Sequence, residues 1–126
     1  MKKVVTATGV YDSKKEVMDV VISNVHKDVS QKGAQMYVLN CDIILAKSKD
    51  ELVVDRRVLY KTGETQMSEV RDALIGYVAD KLAKAGTPVT YVTEDTLLDT
   101  VKKDKVTLKA DVYRSDRGNL IVSLLY

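Results

Sequence analysis

Apolar and polar positions alternate from Met36 to Ala46 and again from Leu52 to Lys61, and with Lys49-Asp50 at the tip they predict a β-hairpin. In the register set by that tip, Tyr37, Leu39, Cys41, Ile43 and Leu45 share a face with Val54, Val58 and Tyr60, while Asp42 lies opposite Arg57 on the other face. Only Arg56 interrupts the apolar face. The period then changes. Met67, Val70, Leu74, Val78 and Leu82 recur at spacings of three and four, which predicts a helix over 66–85, capped by Thr65 or Ser68 and stopped by Gly86 and Pro88.

The remainder of the chain reads as a short strand at Val89 to Val92, a short helix near Asp95 to Lys102, and a second hairpin from Val106 to Tyr126. The turn of that hairpin is Ser115-Asp116-Arg117-Gly118-Asn119. Pairing Ser115 with Asn119 sets Val112 against Val122 and Ala110 against Leu124 on one face, and Tyr113 against Ile121 on the other. Residues 12–32 are open to two readings. Ser13-Lys14-Lys15-Glu16 is a capping-box pattern and Met18, Ile22, Val25 and Val29 trace a helical stripe, so the stretch is assigned to helix. The crowding of Val17, Val20, Val21, Val25 and Val29 also suits a long strand.

The expected class is α+β: one domain, 1–126, with an antiparallel or mixed sheet and two hairpins packed on two helices. With 12–32 helical, residues 3–92 read β-α-β-β-α-β. That order resembles the ferredoxin-like arrangement, with the last hairpin appended to it. The fold hosts many functions and does not choose among them. The order helix, long hairpin (Met36 to Lys61), helix (Gln66 to Ala85) and further strands also resembles small neck and tail proteins of tailed bacteriophages. That resemblance implies ring formation through edges and hairpins, with contacts at Tyr37 to Leu45 and Leu120 to Tyr126.

Composition narrows the chemistry. The 126 residues are 45% hydrophobic and 30% charged, a globular balance without a membrane span, and the +2 net charge comes from interspersed signs. No nucleic-acid partner is therefore expected from bulk charge. Seven Tyr with no Phe or Trp suit half-buried positions and interfaces. Met1-Lys2-Lys3 leads into no signal-peptide pattern, so the expected location is the cytoplasm, or a virion for a phage protein. A lone Cys41, flanked like the inside of a strand, fits a buried structural thiol in a reducing compartment.

No nucleotide-binding loop is present, and His26 is the only histidine, read as a solvent-facing helix residue. Glu94, Asp95 and Asp99 cluster at the short helix, where capping after Thr93 explains them better than a metal site; a carboxylate enzyme using Asp42, Glu94 or Asp95 is the residual alternative. No catalytic residue, metal or cofactor is expected.

Arg56 needs an acidic neighbour, a partner chain or an anion to neutralise it. Arg114 and Arg117 are candidate anion contacts on the second turn. The apolar run Leu120, Ile121, Val122, Leu124, Leu125, Tyr126 asks for cover on both faces. Together with Arg56, Tyr37 and Tyr60 these residues are the candidate interface of a self-associating structural module, which other structural proteins of an assembly could also engage. The alternative is a small ferredoxin-like binding or regulatory domain that engages a ligand, a protein or nucleic acid.

Overall fold

The computed structural model describes residues 2–87 and 92–126. The elements are β1 (Lys3–Thr6), β2 (Glu16–Val29), β3 (Gln35–Lys47), β4 (Glu51–Thr62), α1 (Glu64–Lys84), α2 (Glu94–Asp104), β5 (Val106–Arg114) and β6 (Leu120–Leu124). The chain is thus α+β, with a mixed six-stranded sheet in the order β1-β4-β3-β2-β5-β6. Among the described residues β1 and β4 pair in parallel, and the other pairs are antiparallel. The strand expected at Val89 to Val92 lies, except for Val92, outside the described residues.

Residues 12–32 form no helix; their core is strand β2, and with it the β-α-β-β-α-β order gives way to four successive strands followed by two helices. The first element of the likeness to phage neck and tail proteins is likewise a strand. A β-bulge explains the misreading. Met18, Val20 and Ile22 follow a two-residue period opposite Ala110, Leu108 and Val106. Ser23 is then an extra residue, and Val25 resumes the inward phase opposite Leu39. The bulge stretches one interval from two to three, and a broken alternation mimics a helical stripe. His26 consequently sits exposed on a strand, opposite Val38.

A second bulge corrects the first hairpin. Next to its tip, Ala46 pairs with Val53 and Lys47 with Leu52, in the register the turn predicts. Leu45 is then unpaired, and beyond it the register slips by one: Asp42 faces Arg56 and Cys41 faces Arg57. A one-residue slip exchanges faces along the strand. Asp55, Arg57, Leu59 and Lys61 therefore share the inner face with Tyr37, Leu39, Cys41 and Ile43, and Arg56, Val58 and Tyr60 move to the outer one. Cys41 is 2% exposed, and burial, followed by the nearby Asp42 and Asp55 charges, pushes its thiol up to about 12. The second hairpin needs no such correction. Ser115 N–H donates to Asn119 O, and the pairs Val112 with Val122, Ala110 with Leu124 and Tyr113 with Ile121 all form.

Helix α1 starts two residues before the expected point, at Gly63 (φ 85°), which turns β4 directly into the helix with no side-chain cap from Thr65 or Ser68. Met67, Val70, Leu74 and Val78 are buried as the stripe requires, and Ala73 joins them. At the other end Gly86 (φ 76°) lets its own N–H reach Ala83 O and that of Thr87 reach Leu82 O, a Schellman closure. Helix α2 is capped by Thr93, whose hydroxyl accepts the Thr96 N–H, with Glu94 and Asp95 in its first turn as expected. Both helices pack on the inner face, in one cluster with Val20, Ile22, Leu39, Ile43, Leu108 and Val112.

Candidate functional site

In a flat sheet β4 and β6, four strand spacings apart, would be about 19 Å from each other. In this protein the Lys61 ammonium on β4 donates to Val122 O on β6 at 2.6 Å. The sheet is therefore coiled around α1, and its two sides approach across a cleft. Val58, Leu59, Tyr60 and Lys61 line one wall, Leu120, Ile121, Val122 and Ser123 the other, and Gln66 and Glu69 of α1 the floor, around a volume of about 370 Å³. Four consecutive residues on each wall, inward and outward side chains alike, mean that the walls are strand edges.

Main-chain direction alternates along a strand, so the recorded bonds show which groups face the cleft. Val54 O accepts the Ala7 N–H beside β1, and Thr62 N–H donates to the Gln66 side chain, whereas Gly63 N–H turns to Gln35 O. Arg56, Val58 and Tyr60 thus turn their N–H and C=O away from β3, and β1, which ends opposite Val54, does not reach them. On β6, Leu125 N–H donates to Lys109 O while Asn119 O accepts from Ser115, leaving Leu120, Val122 and Leu124 turned outward. Among the described residues these two edges are unpaired, and they face each other. Side chains occupy part of the gap: Lys61 Nζ also donates to Glu69 Oε2 at 2.8 Å, and that oxygen accepts the Leu124 N–H at 3.4 Å. Lys61 is buried, so this bonding is what makes its position tolerable.

The rim is apolar where most of the outer face is polar. Val58 is 50% and Tyr60 62% exposed. Elsewhere on the outer face Arg56 Nε and Nη2 donate to Asp42 at 2.9 and 3.2 Å and Lys109 is bonded to Asp19, beside the apolar Val21 and Val38. Arg56 is thus satisfied within its own chain, on a face it does not share with Tyr37 or Leu39.

The other expected interface residues separate. Tyr37 is fully buried, its hydroxyl donating to Glu94 and accepting from Arg71, and Val122 and Leu124 belong to the core, so these three are corrected from contact to core positions. Leu120 and Ile121 are half-buried on the cleft wall. Leu125 is exposed, and the Tyr126 ring folds back on α1 beside Gly76. Arg114 donates to Gly118 O within its own turn and lies over the Tyr11 ring, while Arg117 is exposed at the tip. The carboxylates do not converge. Asp42 pairs with Arg56, and Glu94 is held below the usual range by the Tyr37 hydroxyl, which with Lys27 outweighs the opposing effect of partial burial. Among the described residues no three His, Cys, Asp or Glu side chains gather as metal ligands, and no helix is long and apolar enough to cross a membrane.

A second buried polar cluster went unread in the sequence. Asp55 accepts from Gly9 N–H (3.0 Å), the Tyr11 hydroxyl (2.7 Å) and Arg57 Nε and Nη2 (both 3.0 Å). It anchors the segment that crosses from β1 to β2 over the inner face. Burial alone would raise the Asp55 carboxyl, but Arg57, Tyr11 and Gly9 together hold it below the usual range. A carboxyl whose pKa is depressed on folding contributes stability that is present above its unfolded pKa and lost as pH falls through its folded one. Stability should therefore be level from neutrality to about pH 5 and drop progressively below that, past the ordinary aspartate value of about 3.9. Urea melts across pH 2 to 7 check this, and Asp55→Asn should flatten the acid limb.

Compared with family models and with curated proteins, the chain has no match.

Proposed function

We propose that this chain is a non-enzymatic assembly module that self-associates by strand addition at the β4–β6 cleft. The observation that carries the reading is the coincidence of two unpaired strand edges with the exposed apolar rim of Val58 and Tyr60. Natural sheets protect free edges with charges, prolines or cover, because an open apolar edge recruits other strands. Here Lys61 and Glu69 cover Val122 O and Leu124 N–H, while Val58 and Tyr60 leave the rest of the rim apolar, and main-chain pairing with an added strand uses what stays open.

Light scattering over a range of concentration tests the proposal. The expected mass is a multiple of the protomer, and Tyr60→Asp, which sets a charge on the rim while leaving the core untouched, should reduce it to one. A monomer at every concentration and salt would sink self-association and leave the cleft as a binding site for a segment of another protein. The finer proposal, a ring component of a phage neck or tail, draws on the hairpin, helix and strand order that follows β2; rings of one diameter in negative-stain images would support it.

A further inference from the structure

Building on the self-association reading, we infer that the strand entering the cleft is β1 of a second copy. Among the described strands the donor follows by elimination. Strands β2, β3 and β5 are paired on both sides, β4 on one side along its whole length, and β6 carries Val122 and Leu124 of the core. Strand β1 is held on one side by four residue pairs, gives no residue to the core cluster, and leaves Lys3, Val4 and Thr6 exposed. It can leave its place at the lowest cost.

The receiver fits the same strand. The β4 edge already accepts Lys3–Thr6 in parallel along Glu51 to Val54, and the cleft wall continues that strand at Val58 to Lys61. The antiparallel steps from β4 through β3, β2 and β5 to β6 make β4 and β6 run the same way, so one guest strand can pair in the same sense with both. Lys61 and Glu69 presently bond to groups that the guest would take, a donor on Val122 O and an acceptor for Leu124 N–H. With Gly9 fixed on Asp55, only Ala7 and Thr8 link β1 to its anchor, about 7 Å when extended, so the receiving cleft has to lie close beside the donor's own β4 edge. Such an exchange is head-to-tail, and it closes into a ring or continues as a filament according to the rotation between copies.

One feature of β1 makes the test specific. Lys3 and Ala7 donate their N–H groups to Asp50 O and Val54 O, so by alternation the N–H groups of Val4 and Thr6 point away from β4. Val4→Pro therefore spares the ladder within the protomer, as proline does on an outer edge, but removes a donor that two-sided pairing in the cleft requires. Thr6→Pro is the second donor variant should the first melt early. The donor variant Val4→Pro and the receiver variant Tyr60→Asp should each have the mass of one protomer, and an equal mixture should rise twofold, because the mixture holds one intact strand and one intact cleft. Wild-type mass in both proline variants would overturn the inference while leaving self-association standing. Two monomeric variants that fail to complement would overturn it as well. A wild-type protein that is itself monomeric would remove the reading beneath it.

Discussion

Asp55→Ala lowers the unfolding free energy by about 3 kcal/mol, the low end for breaking a buried ion pair from one side, because the Arg57 side chain left behind is partly exposed. Urea melts at neutral pH measure it. Asp55 is 5% exposed, and four donors converge on its two oxygens. Alanine leaves the partly exposed Arg57 guanidinium without its counter-charge, and the buried Gly9 N–H and half-buried Tyr11 hydroxyl without acceptors. The loss extends beyond the pair, because the same carboxylate pins the crossing from β1 to β2. Asp55→Asn keeps an acceptor and should cost less. If Asp55→Ala unfolds within about 1 kcal/mol of wild type, the cluster is not holding the crossing in place.

Lys61→Met comes next, with an expected loss of about 1.5 to 3 kcal/mol, the range for hydrogen bonds that involve a charged group. Methionine keeps the apolar stem but leaves Val122 O and Glu69 without their donor across the cleft. The same change vacates the cleft of its resident ammonium, so assembly should strengthen while the isolated protomer weakens. Denaturant melts at low concentration and light scattering at high concentration separate the two effects. Lys61→Met together with Glu69→Gln should recover part of the stability, since no unpaired carboxylate is then left.

The sequence disclosed local structure wherever one rule governed it. The Ser115 to Asn119 turn sets the β5–β6 register without help, and the stripe from Met67 to Val78 places α1. It misled at the two bulges. One extra residue at Ser23 turned an alternating strand into an apparent helix, and one at Leu45 moved Arg56 outward and Arg57 inward. Neither bulge carries a glycine or proline to announce it. Tyr60 was expected on one face with Tyr37 and is turned outward by the Leu45 bulge, and no pattern in the sequence pointed to Lys61 or Glu69. Their roles depend on the sheet coiling far enough to bring β4 to β6, a consequence of six strands together that no short window contains.

The pairing of β2 with β5 bears on how the chain is made. Asp19 and Lys109 are bonded across 90 positions of sequence, so the ribosome releases β2, β3 and β4 long before β5 exists to cover the outer side of β2. During that interval the three-stranded meander holds Val20 and Ile22 against half a core, and α1 can settle on it only in part. Long-range closure of this kind is slow and leaves nascent chains open to mispairing. Until β5 is made, the edge of β2 from Glu16 to Ile22 is thus an open strand edge of the unfinished chain.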